Sequence, residues 1–501
     1  MSGSPLQDLQ RDTFFPNSFY WFILQTSMVN SAKIENWDVV IAGSGFAGIA
    51  AGIEAARQGA RTVILEKMPT YGGNSIIDEG MVSFVQTPQQ QQRKIKDSPL
   101  LLREDMLVNG EYLNDPEKVD RISREAHALY DWTTQELGIQ WLPVVTWAGG
   151  HSVPRTLTVQ SGSGREIYDK ALKKLRFYGV DIRCGTYVER IDRTENGVVG
   201  LYARNNYRFP DACSGTPVYF SAARGVVLAY GGFSADVEYR SVIDPLYRQF
   251  ETTNHPGATG ELWIESSRIG CMLIDACQIQ CTPWSNPREK GMGRAWLFSD
   301  FVGADAGLWV TSRGERFVNE LGNRKNSAEA VLNVHRQKLR ALAIGNHISK
   351  ERLDAIRHGF MDEMLSLGLI DQYGSLEEIE RAWNMPSGRL VATVEHYNKS
   401  LKSHRDRDFL RPIQCDIPLT EGPWYVAEMS PKVHHCMGGL YTSANAQCID
   451  ASTGNLIDHL YAAGECAGGV HGACRMGSCA ILDCLIMGRI AGRNAALSNG
   501  K

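Results

Sequence analysis

Residues 38–48 read Asp38-Val39-Val40-Ile41-Ala42-Gly43-Ser44-Gly45-Phe46-Ala47-Gly48, followed by an alanine-rich run from Ile49 to Gln58, then Gly59 and Thr62-Val63-Ile64-Leu65-Glu66. The apolar run 38–42 has the composition of a parallel strand buried on both faces. The alanine-rich run predicts a helix that Gly59 ends, and Thr62–Leu65 predicts a second strand. G-x-G-x-x-G therefore falls at the first turn of a strand–helix–strand unit. Gly43 permits the tight turn, Gly45 lets the backbone approach a pyrophosphate, and Gly48 lets helix and strand pack closely. The phosphates sit at the positive helix N-terminus, beside Ala47. Glu66 ends the second strand, where a carboxylate accepts hydrogen bonds from ribose hydroxyls, and Lys67 follows it.

Further glycine clusters extend this unit along the chain. Tyr71-Gly72-Gly73-Asn74-Ser75-Ile76-Ile77-Asp78-Glu79-Gly80-Met81 lies just past the ribose-binding strand. A second cluster there suits a flavin, whose pyrophosphate and ring system the chain must wrap. Gly73, Asn74, Ser75, Gly80 and Met81 are the candidates for that contact. Gly225–Phe233 predicts a strand running into a Gly231-Gly232 turn, and Thr253–Glu261 a loop ahead of a helix, which add Gly232 and Glu261. Near the C-terminus, Leu460-Tyr461-Ala462-Ala463-Gly464-Glu465 reads as strand then turn, and Gly468–Ser478 carries Arg475. Ala480–Ala496 reads as a closing helix in which Gly488 and Gly492 allow close packing. Gly464, Glu465, Arg475, Ala480 and Ile481 complete the expected cofactor set. A dinucleotide fold that opens near one end of the chain and finishes near the other encloses an insertion. The expected fold class is α/β: a Rossmann-like FAD-binding domain of the glutathione-reductase type with an inserted α+β capping domain. The expected division starts with an N-terminal extension (1–35). The FAD-binding domain then comes in two segments, 36–275 and 434–501, on either side of a capping or substrate domain (276–433). Helices are expected within the insertion at Ala328–Ala343 and Ser349–Leu365.

Composition narrows the function class. The 501 residues carry a net charge of -4 and no long basic run, which argues against nucleic acid as a partner. No apolar run reaches the ~18 residues of a membrane span. The patch Phe19–Leu24 is too short, and its flanks are wrong, for a secretory signal; residues 1–32 read as an extension or surface arm, with Met28 a possible alternative start. None of the twelve cysteines forms C-x-x-C or C-x-x-C-H, so no c-type haem is expected. Scattered thiols in a large enzyme suit a reducing, cytoplasmic compartment. No metal site is expected.

Five segments in order carry a resemblance: Gly72-Gly73-Asn74-Ser75, Gly149-Gly150-His151-Ser152-Val153-Pro154-Arg155, Gly314-Glu315-Arg316-Phe317-Val318-Asn319-Glu320, His434-His435-Cys436-Met437-Gly438-Gly439, and Ala463-Gly464-Glu465 through Arg475. Over residues 37–496 the chain resembles the soluble fumarate reductase/flavocytochrome c flavoproteins of the succinate dehydrogenase flavoprotein superfamily. The resemblance implies FAD, a cap, and a site between them that exchanges a hydride between flavin N5 and an activated C=C bond. It implies noncovalent FAD, since no histidine lies within Gly72–Met81. It also implies that Arg475 and His434 bind a substrate carboxylate and that Arg324 delivers the proton, although an arginine normally stays charged. Asp300 is the expected proton-carrying acid.

Three departures from the family pattern matter. The second-carboxylate histidine falls at Thr282, the Thr-Glu pair at Ser299-Asp300, and the outer relay arginine at Gly303, while Trp284, Trp296 and Trp309 add bulk. Arg294 could supply the missing charge or simply face solvent. The expectation is a reductase of an α,β-unsaturated acid other than fumarate. Its small-molecule substrate carries a carboxylate or carbonyl, and its electron donor or acceptor is separate. Two alternatives stay open at this level: a dehydrogenase or oxidase desaturating the same kind of bond, and a nonenzymatic flavin electron-transfer module.

Overall fold

The computed structural model describes residues 33–413 and 415–499. The expected arm at 1–32, with the Phe19–Leu24 patch and Met28, lies outside the described residues. The first strand, β1 (Lys33–Ala42), begins before the apolar run because Lys33–Trp37 pair in parallel with Val218–Ala222. Helix α1 (Phe46–Arg57) starts directly at the glycine turn, and β2 (Thr62–Glu66) pairs in parallel with β1.

Along the chain follow α2 (Pro116–Asp131), α3 (Gly164–Phe177), β3 (Asp181–Cys184), β4 (Thr186–Thr194), β5 (Gly197–Asn205) and β6 (Thr216–Leu228). Next come β7 (Ile279–Ser285), α4 (Trp296–Ala304), β8 (Gly307–Thr311), α5 (Arg324–Arg336), β9 (Ala341–Asn346) and β10 (Asp371–Tyr373). The last are β11 (Trp424–Cys436), β12 (Gln447–Ile449), β13 (Leu456–Ala462) and α6 (Cys479–Leu497). One eight-stranded sheet runs β12-β13-β6-β1-β2-β3, with β5 pairing both β6 and β4. Its β13, β6, β1, β2 and β3 are mutually parallel, and the central ones carry the near-continuous Val/Ile/Leu runs of doubly covered strands. A second, antiparallel sheet runs β7-β11-β9-β8, with β10 also on β11.

The closing helix α6 lies on α1. Cβ atoms built on Gly488 and Gly492 would come within 2.4 and 2.0 Å of the Ala47 and Ala51 carbonyl oxygens. Only glycine permits that approach of two helix backbones.

Two sequence expectations fail inside the insertion. The helix expected to reach Ala343 ends at Arg336, and Ala341–Asn346 is the fully buried strand β9, paired on both sides. Burial between two strands outweighs the helix preference of alanine and leucine. The helix expected over Ser349–Leu365 is two helices, His347–Ile356 and Phe360–Ser366, broken at Gly359 with φ +74°. Among the described residues no helix is long and apolar enough to cross a membrane. All twelve cysteines are free.

Candidate functional site

A cleft of about 970 Å³ opens at the carboxyl ends of β1, β2 and β6, where parallel sheets bind ligands. Gly43, Gly45, Ala47, Glu66, Lys67, Gly73, Asn74, Ser75, Gly232, Glu261 and Glu465 line it. Gly48, Gly80, Met81, Gly464, Arg475, Ala480 and Ile481 do not. Gly48 and Gly464 stand behind the lining: their Cβ atoms would meet Gly43 O at 2.0 Å and Ala47 Cβ at 2.8 Å. Gly80 and Met81 lead into a short strand, Met81–Ser83, and Ala480 and Ile481 belong to the first turn of α6.

The cleft has the donor set of a dinucleotide site. Gly43 turns with φ +102°. Helix α1 opens at Gly45 with no acid in its first turn; Phe46 N donates to Ser75 Oγ at 2.9 Å, and the positive N-terminal end of the helix at the cleft suits an anion. Glu66 accepts from Ser44 N (3.2 Å), Ser44 Oγ (2.5 Å) and Met68 N (2.9 Å). Lys67 donates to Glu261 at 3.2 Å at the cleft's rim. These residues fit FAD.

The substrate side is built around two guanidinium groups. Arg475 is 5 % exposed; its Nη1 donates to Met476 O at 3.1 Å and its Nε has no partner. Arg324 opens α5 and lies 4.9 Å from the Trp284 ring. Neither guanidinium has a salt-bridge partner among the described residues, whereas Arg155 pairs with Asp97 and Asp105, and Arg316 with Glu320 and Asp406. Burial and then the charge of Arg324 bring Arg475 down to about 10, and burial also lowers Arg324. Two neighbouring cations without a salt bridge are costly, and an anion that joins them lowers that cost.

The scaffold that aims these groups comes from several segments. Gln280 on β7 clamps Arg475 from both sides, accepting from its N–H at 2.9 Å and donating to its carbonyl at 3.4 Å. His151 Nε2 meets Gly477 O at 2.8 Å, and Ser83 N donates to Ser478 O at 3.0 Å, fixing the turn after Arg475. Arg316 bridges Glu320 and Asp406 at 2.7 and 2.9 Å, holding the loop before Arg324. Asn323 caps α5 by accepting from Asn326 N at 2.8 Å. The amides of Arg324 and Lys325 lie close to Cys474, so the N-terminus of α5 abuts the residue next to Arg475.

His434 lies near the end of β11. Its Nδ1 is 2.7 Å from Thr253 Oγ1, and its carbonyl accepts from Asn254 Nδ2 at 2.8 Å. Asn74 of the cleft donates to Asn254 and accepts from His255 N, at 2.6 and 2.7 Å, joining the cofactor loop to the His434 loop. Burial, Arg475 and Arg324 hold His434 neutral. Asp300 on α4 is raised to about 6 by burial against the pull of Arg324 and with the push of Glu79. Glu79 is itself raised by burial, opposed by Arg324 and Arg475. Thr282 is fully buried, with Oγ1 3.4 Å from Ser285 Oγ. Arg294 pairs with Glu363 at the surface and brings no charge to this place.

Sequence reasoning missed Gln280, Thr253, Asn254, Glu79 and the role of His151. His151, Glu79, Thr253 and Asn254 all sit inside segments that the sequence had marked, but no local signal there gives them, or Gln280, these contacts.

An FAD binding domain family model matches residues 38–481. The chain is 34% identical over 465 residues to an acrylate reductase flavoprotein subunit from Shewanella woodyi, covering 91% of each. It is 33% identical over 475 residues to a fumarate reductase (cytochrome) from Shewanella frigidimarina, covering 93% of this chain and 78% of the other. The open conformation of a flavocytochrome c3 fumarate reductase superposes with TM-score 0.76 at 28% identity, covering 95% of this chain and 80% of the other. Sharing a family model over most of its length and a third of its residues with these flavoproteins, the chain belongs to the FAD-binding family of fumarate-reductase-type flavoproteins, and its cofactor is FAD.

Proposed function

We propose that this protein reduces the C=C bond of an α,β-unsaturated monocarboxylic acid. The observation that carries the reading is the pair Arg324 and Arg475, two guanidinium groups near enough to act on one another, neither held in a salt bridge among the described residues. Support comes from the names of the relatives, an acrylate reductase flavoprotein subunit and a fumarate reductase. The proposal takes residues 36–275 with 434–501 as the flavin-binding domain and 276–433 as the cap.

When bound, FAD supplies the hydride at N5. Arg475 grips the substrate carboxylate in the bidentate manner of a guanidinium. Neutral His434 can donate from Nε2 while Thr253 engages Nδ1, and both groups stabilise charge that develops on the carboxylate as the hydride arrives. Arg324 stands at the other side of the substrate, where it gives its proton to the neighbouring carbon, and Asp300 restores that proton. The lowered affinity of Arg324 for its proton and the raised affinity of Asp300 bring the two closer together, which eases transfer between them. A substrate with a single carboxylate suits a site in which Thr282 stands where the family has its second-carboxylate histidine and the Trp284 ring lies against Arg324. The electron donor is a separate partner, and the free thiols support a cytoplasmic setting.

The test is anaerobic. Dithionite-reduced enzyme is mixed with acrylate, larger monocarboxylic enoates and fumarate, and flavin reoxidation is followed at its visible absorbance. Fast reoxidation by a monocarboxylic enoate, and slow reoxidation by fumarate, is expected. Bleaching of the oxidised enzyme by saturated acids, with no reoxidation by any enoate, would establish the desaturase direction instead.

A further inference from the structure

Strand β11 ends in two adjacent histidines, and neighbours on a strand face opposite ways. His434 engages Thr253. His435, on the other face, is buried with Nδ1 3.5 Å from Glu465 Oε1. Its ring stands edge-on to that of His471, centroids 5.5 Å apart and planes at 72°. His471 Nε2 lies 3.4 Å from Asp483 Oδ2. Lys118, in the first turn of α2, is 0 % exposed and donates from Nζ to Gly468 O at 2.6 Å. Asp115 caps the same helix and accepts from Tyr441 Oη at 3.0 Å, and both are partly exposed.

Glu465, His435, His471 and Asp483 follow one another from the cofactor cleft through two close contacts between ionisable groups and one edge-on ring pair, and the charges of Asp483 and Asp115 act on Lys118 toward the surface; none of these successive contacts is a hydrogen bond among the described residues. The groups are also under-bonded. His435 Nε2, His471 Nε2 and Asp483 Oδ1 are buried without a hydrogen-bond partner, a state native proteins rarely leave unexplained. Facing the two imidazoles are Glu465, Asp483, His434, Arg475 and Arg324; facing Lys118 are Asp115, Asp483, Asp275 and Cys448. Burial raises Glu465 to about 7 and lowers Lys118 to about 8, so both ends exchange protons near neutral pH.

We propose that Glu465, His435, His471, Asp483 and Lys118 form a buried chain that passes protons between the surface at Asp115 and the cofactor cleft. The proposal rests on the flavin-reductase reading. Two-electron reduction of FAD by an external donor takes up at least one proton. Each group hands its proton inward and receives another from behind, so only N–H and O–H bonds form and break and no side chain is oxidised. These residues act on the cleft through one another and are positioning residues, with Glu465 the one that lines it.

The test uses holoenzyme and no enoate, so its failure is distinct from failure of the enoate reading. Dithionite reduces the flavin in weakly buffered solution with a pH-indicator dye, in a stopped-flow instrument. Asp483→Asn, which keeps shape, and Lys118→Met are compared with wild type at equal flavin content and equal thermal midpoint. Proton uptake in both variants is expected to slow by at least about tenfold, more at pH 8 than at pH 6, with a larger solvent deuterium effect. Added methylammonium is expected to restore some of the lost rate in Lys118→Met. Uptake at the wild-type rate with an unchanged pH profile in Asp483→Asn would overturn the proposal, whether or not Lys118→Met folds.

Discussion

Gly303 lies against the indole of Trp309: a Cβ built on Gly303 would sit 2.8 Å from ring atoms Cε2 and Nε1. Trp309 is itself buried and donates from Nε1 to Ser299 O at 2.8 Å. The aromatic ring thus fills the space where a family relay arginine would project. Gly303→Arg is therefore expected to lower stability by about 1–3 kcal/mol through overpacking, with no gain in turnover. Thermal denaturation and kcat on the same preparation check both halves.

Arg324→Lys and Arg475→Lys each keep the charge and lose the planar fork. Each is expected to lower kcat/KM by about 10²-fold or more, with flavin content unchanged. Wild-type turnover in both variants would remove the two arginines from the chemistry.

Asp300 has a pH signature of known sign. Its folded pKa, about 6, lies above the ordinary value of 3.8. The carboxyl therefore contributes stability that is full below 3.8 and is lost as pH rises through about 6. Asp300→Asn is expected to show a stability advantage over wild type that grows across that window, in chemical denaturation at pH 4 and pH 8. Its kcat is expected to fall, because Arg324 loses the group that restores its proton.

Thr282→His restores a donor at the position where the family has its second-carboxylate histidine. The ratio of kcat/KM for a dicarboxylic over a monocarboxylic enoate is expected to rise about tenfold. Thr282 is fully buried, so the variant is also expected to melt lower. A ratio that stays constant would mean that this position does not face the second carboxylate.

Glu66 organises the first glycine turn through Ser44 and Met68. Glu66→Ala is expected to weaken FAD binding at least tenfold, equivalent to about 1.4 kcal/mol, as read by titrating apoprotein with FAD and following flavin fluorescence.

The strand–turn–helix–strand from Asp38 to Glu66 was legible because every requirement there is local: glycine where φ is positive, alternation set by burial, a carboxylate at a strand end. Arg324, His434 and Arg475 were singled out through motif resemblance, and that neither arginine has a salt-bridge partner among the described residues became visible only in three dimensions. Gln280 and Asn254 were not legible. Each meets its partner 195 and 180 residues away, and neither has a neighbourhood that marks it. Strand β9 misled for a related reason: its alanines and leucine favour a helix locally, and only the two flanking strands decide otherwise.

The contact of α6 with α1 joins segments made at opposite ends of synthesis. Ala47, in the first turn of α1, touches Gly488 and Gly464, and β13 completes the sheet beside β6. As the polypeptide leaves the ribosome, its opening strand and helix emerge without the backbone that will seal them. Glu465 and Cys484, which line the cleft, lie in these later segments, so the nucleotide pocket is complete only once α6 has been made.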